Sequence, residues 1–133
     1  MTDTISPELT WLAWVTVLTG LLWLPYISQI ITRIGVRTAL VEVSGVEPHA
    51  PWSRRAKRAH GNAVENLAVF APLILIVELT GTGSAVTAFA AAAYFVLRII
   101  HAFVFIIGLP YLRTLAFAGG VACQAVLAWA VLA

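Results

Sequence analysis

Three polar side chains share one helical face in the second apolar stretch of the chain: Arg58, Asn62 and Glu65, at i, i+4 and i+7. The third stretch carries a second group, Arg98 and His101 at i and i+3, with Phe105 one turn further on. Ionisable groups inside apolar sequence are rare and costly. They usually face the protein interior and mark functional positions. Two such stripes on neighbouring helices are expected to face each other or a polar ligand. The chemistry open to them is therefore mutual pairing or the binding of a polar ligand. The plainer alternative is an ion pair of Glu65 with Arg58 or Arg98 that only fixes helix register. His49, His60 and His101 do not have metal-ligand spacing, so no metal site is expected. Cys123 is the single cysteine, which excludes a disulfide framework and fits a packed, inert thiol.

The elements that hold these groups follow from composition. Of 133 residues, 61% are hydrophobic and 11% charged, against roughly half and about a quarter in soluble domains. This excludes a soluble compact monomer and a disordered chain. The length fits one domain. Four apolar runs at about 9–31, 58–80, 85–107 and 114–133 are each long enough to cross a bilayer. Strand alternation is absent, so the expected fold class is an all-α integral membrane four-helix bundle. The connections are a polar stretch over 32–59, a Gly81-Thr82-Gly83-Ser84 turn, and a Gly108-Leu109-Pro110 break running to Arg113. The first run has no basic leader and no small-residue cleavage site, and reads as a retained anchor.

Of the eight Lys and Arg residues, all but Arg98 flank the first and third connections. The positive-inside rule then puts both termini outside the cytoplasm. The lack of a targeting extension suits a bacterial inner membrane. Arg54, Arg55 and Lys57 are expected to set topology and touch headgroups rather than nucleic acid, since the net charge is only +2. His60, on the side of its helix away from Asn62, is expected at the interface. Glu78 is expected to reach water at the outer end, and the tryptophans to form a belt or face lipid. The alanine-rich 85–93 stretch allows close helix packing.

The stretch Arg58-Ala59-His60-Gly61-Asn62-Ala63-Val64-Glu65-Asn66 resembles the RAxxNxxE signature of the MAPEG family, the membrane-associated proteins in eicosanoid and glutathione metabolism. Chain length, four spans, the long first loop, Arg98-Ile99-Ile100-His101 and Arg113-Thr114 fit the same pattern along nearly the whole chain. The resemblance implies a homotrimer with glutathione as co-substrate, bound between subunits near the cytoplasmic face. It implies that Arg58, Asn62 and Glu65 bind the tripeptide, with Arg98 and His101 adding contacts from the third helix and Arg37 or Arg33 a further basic contact. Arg113 stands where the family's thiolate-stabilising arginine is found. Phe105 replaces the tyrosine of well-known catalytic members, Phe117 replaces another, and Gly61 lacks a side chain that some members use.

Three functions are therefore open. The first is a membrane-bound glutathione transferase or peroxidase, in which an arginine lowers the thiol pKa and the thiolate attacks a lipophilic electrophile or hydroperoxide. The second is a non-catalytic scaffold of the same family that binds lipid or a protein partner. The third is a small transporter or channel subunit, which the intramembrane charges suggest but the absence of internal repeats does not.

Overall fold

The computed structural model describes residues 4–42 and 46–133. Six helices are present among them: α1 Pro7–Leu21, α2 Leu24–Ile34, α3 Val36–Val41, α4 Pro51–Thr80, α5 Ala85–Ile107 and α6 Pro110–Leu132. Four stretches are long and apolar enough to cross a membrane: Pro7–Ile34, Pro51–Thr80, Ala85–Ile107 and Pro110–Leu132. The protein is an integral, multi-pass membrane protein with an all-helical bundle.

Proline stands at the start of four of the helices, Pro7 at that of α1. Pro25 has no N–H for the carbonyl of Leu21, and the first span breaks there into α1 and α2 with a turn between them. Pro51 and Pro110 each start a helix, where the missing N–H costs nothing. The helices accordingly begin earlier than the apolar runs. Residues 51–57 belong to α4, and Arg113 lies in the first turn of α6. Hydropathy registers where the lipid begins, whereas the basic start of α4 is a helix projecting out of it. The third connection shrinks to Gly108 and Leu109. Gly108 takes φ +87, a left-handed conformation that L side chains rarely adopt, and so reverses the chain in one step.

The core lies between α1, α4, α5 and α6, around Val15, Phe70, Ile74, Val77, Tyr94 and Leu127. Phe70 and Tyr94 stack with ring centres 3.9 Å apart. The α5–α6 interface is the most extensive. Its closeness depends on Gly119, where a Cβ would come within 2.9 Å of Leu97. The outer surface is apolar: Leu79, Phe89, Phe103, Leu115 and Trp129 all point away from the bundle. Exposed aliphatic and aromatic side chains around the whole circumference are what lipid requires.

Pro72 lies inside α4 and leaves the carbonyl of Ala68 without its usual partner. The helix continues through it, as membrane helices commonly do.

Candidate functional site

The bundle has a basic end, where α4 and α6 start and α5 stops, and an opposite end at the Gly81–Ser84 turn. Arg98 lies 13 residues into α5 and Glu65 15 residues before the end of α4. At 1.5 Å per residue both sit about 20 Å from that opposite end, well inside a hydrocarbon layer of roughly 30 Å.

Arg98 is 5% exposed. Its Nη2 donates to Asn62 Oδ1 at 2.6 Å and lies 3.2 Å from His101 Nδ1. Its guanidinium stands 5.8 Å from the Tyr94 ring centre. Its Nη1 is buried without a hydrogen-bond partner among the described residues. Gly120 of α6 faces this nitrogen, where its missing side chain leaves room. No carboxylate of the described residues pairs with this cation; the ion pair present is Lys57–Glu47 at the surface. A guanidinium held inside the bundle without an anion is an unfinished arrangement, since burial of an unpaired charge costs several kcal/mol.

Aromatic contacts extend the site toward the basic end. The His101 ring meets Phe105 edge-on at 5.5 Å and lies 6.2 Å from Phe117. The Arg113 guanidinium sits over Phe105 at 4.7 Å, a cation–π contact that fixes its position. Asn62, Arg98, His101, Phe105 and Arg113 thus form one continuous chain of contacts across α4, α5 and α6.

The two polar stripes meet only in part. Asn62 reaches α5, but Arg58 and Glu65 point outward from α4 and are exposed. The three residues span about 60° of the helix, and that spread separates the inward Asn62 from its neighbours. The expected intrachain pair of Glu65 with Arg58 or Arg98 is not formed among the described residues. Arg37 lies on α3, past the Gly35 break, rather than on the first helix, and is exposed; Arg33 is in the last turn of α2. His60 is half-buried and bonds Tyr26 Oη through Nδ1 at 2.8 Å, tying α4 to α2.

Two residues of the polar interior escaped the sequence reading. Gln124 of α6 donates to the Asn66 carbonyl at 3.3 Å and lies 3.5 Å from Tyr94 Oη. A glutamine within an apolar span was the available signal, and Tyr94 stands one turn before Arg98 on the same face.

A family model describing the MAPEG family matches residues 9–133. The chain belongs to the MAPEG family. Membership carries a glutathione-related or eicosanoid-metabolism role at family level. Searches of curated proteins and of solved structures returned no match. Within this MAPEG chain, the matched segment contains every residue of the contact chain from Asn62 to Arg113.

Proposed function

We propose that the protein binds glutathione and activates its thiol for attack on a lipophilic electrophile or hydroperoxide dissolved in the membrane. The observation that carries this reading is the buried Arg98, anchored by Asn62 and His101 with Nη1 left without a partner among the described residues. The donor set fits the tripeptide, which offers two carboxylates, one ammonium and a thiol. Arg98 would take a carboxylate through its free nitrogen. Asn62 and His101 orient the guanidinium, and exposed Arg58, with Arg37 as a further cation, would meet the second carboxylate. Glu65 would pair with the ammonium. Arg113, steadied over Phe105, would stabilise the thiolate, since a neighbouring cation favours the charged form of a thiol.

Glu65 also supports a homotrimer. It stands exposed at mid-span, where a lone carboxylate facing lipid is costly. A neighbouring subunit covering this face would complete the site with the ligand between protomers. The distribution of arginine and lysine supports both termini lying outside the cytoplasm, with the site opening toward the cytoplasmic side.

Phe105 and Phe117 favour a second reading, a non-catalytic scaffold that binds lipid or a partner. Both rings flank His101 and offer no hydroxyl to a reacting sulfur. One experiment separates the two. Glutathione is titrated into the purified protein in detergent while the ultraviolet absorbance of thiolate is followed. The transferase reading expects saturable binding with a thiolate signal that Arg113→Ala removes. Saturable binding without thiolate removes the reaction and keeps the site, and no saturable binding at millimolar glutathione overturns both and leaves the scaffold.

A further inference from the structure

A cavity of about 300 Å³ lies between α2, α3 and the start of α4, away from the Arg98 chain. Ile27, Ile30 and Ile34 of α2 face Ala39 and Leu40 of α3 across it, and the lining is aliphatic apart from Tyr26 and Lys57. The volume is at the lower end for small-molecule sites and accommodates one hydrocarbon chain rather than two. Lys57, whose side chain is 43% exposed, both lines the cavity and reaches water, and so marks the mouth. Its ammonium bonds Glu47 at 2.5 Å, which shows that an anionic oxygen fits there. An exposed pair of this kind contributes little to stability and is readily exchanged.

Lys57 is the cation that lines the cavity, and further positive charge follows along the same helix. Arg54, one turn before Lys57 on the same face of α4, is exposed and makes no hydrogen bond or ion pair among the described residues. It also borders a cleft of about 410 Å³ lined by Pro51, Arg54, Arg55 and Arg58. Of these arginines, Arg55 is engaged, donating from Nε to the Ile106 carbonyl at 2.7 Å. The exposed Val36, Leu40 and Val41 make α3 an apolar surface at the basic end, where lipid headgroups meet hydrocarbon. A chain-sized cavity with a lysine at its mouth and an arginine one turn away on the same helix, on the basic side of a membrane protein, matches the chemistry of a lipid with a net negative headgroup.

We infer that this is a specific phospholipid site: one acyl chain of an anionic glycerophospholipid occupies the α2–α3–α4 cavity, and its phosphate takes the place of Glu47 between Lys57 and Arg54. A phosphate offers several acceptor oxygens to these two cations, whereas a free fatty acid offers one carboxylate. A zwitterionic lipid would carry a second cation into a region already positive. The inference is independent of glutathione binding and stands or falls separately from it.

Native mass spectrometry of the purified protein tests it. The protein is offered equal amounts of phosphatidylglycerol, phosphatidylethanolamine and phosphatidylcholine with identical chains, and a free fatty acid of the same length. Phosphatidylglycerol is expected to be retained at least tenfold over each of the others. Lys57→Ala should abolish that preference, Glu47→Gln should strengthen it, and Ala39→Phe, which fills the cavity, should lower retention of all four. Equal retention of the three phospholipids by the unaltered protein overturns the site, as does preference for the fatty acid. Retention of phosphatidylglycerol unchanged in Lys57→Ala also overturns it, and this exposed substitution decides the matter even where Ala39→Phe does not fold.

Discussion

The two ends of the bundle handle buried polar groups in opposite ways. At the end near the Gly81–Ser84 turn, Glu8 is almost fully buried but accepts a hydrogen bond from the Thr87 hydroxyl at 2.5 Å. Thr87 in turn accepts from the Ser84 N–H at 2.7 Å as part of a capping box for α5. Glu78 accepts from Ser6 Oγ at 2.6 Å, and Ser6 caps α1. Each carboxylate there has a donor that is also part of a helix cap. Toward the basic end, Arg98 keeps a buried nitrogen without a partner, and Glu65 and Arg58 face outward without partners, among the described residues. A satisfied cluster locks helices α1, α4 and α5 together. The other leaves charged groups unpaired among the described residues, which is the feature the proposed ligand would answer.

This contrast is sharpest at Arg98. Removing a buried charge that has no ionic partner relieves its desolvation, and the acceptors it leaves behind, Asn62 Oδ1 and His101 Nδ1, offset part of that gain. Arg98→Met is therefore expected to move the unfolding midpoint little while weakening glutathione binding by about 100-fold or more, the loss of a hydrogen-bonded charge pair. Calorimetric titration alongside thermal unfolding in detergent checks both halves. Loss of stability comparable to the loss of binding would erase the distinction between the two ends.

Thr87→Val probes the other end. It leaves Glu8 buried without its donor and is expected to cost about 1–3 kcal/mol of stability, with glutathione affinity unaltered. Smaller again is Glu65→Gln. The side chain has no partner among the described residues, so folding of the single subunit should not change, while loss of a charged contact to the ligand's ammonium should weaken binding about tenfold, or about 1.4 kcal/mol. The smallest expected effect is at Phe105→Tyr. The added hydroxyl next to His101 and Arg113 should strengthen the thiolate signal by a few-fold without altering the fold, as read by the ultraviolet titration.

Much of the fold was legible because lipid imposes a simple code. Long apolar runs with glycine and proline between them gave the four spans, and the third span, at 85–107, coincides with α5. The basic start of α4 and the break at Pro25 were not legible from hydropathy, which registers lipid contact and not helicity. The Asn62, Arg98 and His101 contacts were foreshadowed by polar residues at helical spacing. The orientation of Glu65 was not, because i+7 spacing places a residue on a broad face without saying whether that face meets a neighbour in the same chain. Glu8 was missed altogether. It precedes the first apolar run and reads as an exposed acid in a first turn, whereas the fold closes Thr87 over it from 79 residues away.

The most direct test of the central claim is whether glutathione stabilises the protein through Arg98. Glutathione at about one hundred times its dissociation constant should stabilise the unaltered protein by about 2.7 kcal/mol, seen as a rise in the unfolding midpoint. Arg98→Met, folded and equally stable without ligand, should show no rise at the same concentration. A midpoint in the unaltered protein that stays fixed at every glutathione concentration, or one that rises equally in Arg98→Met, would contradict the account.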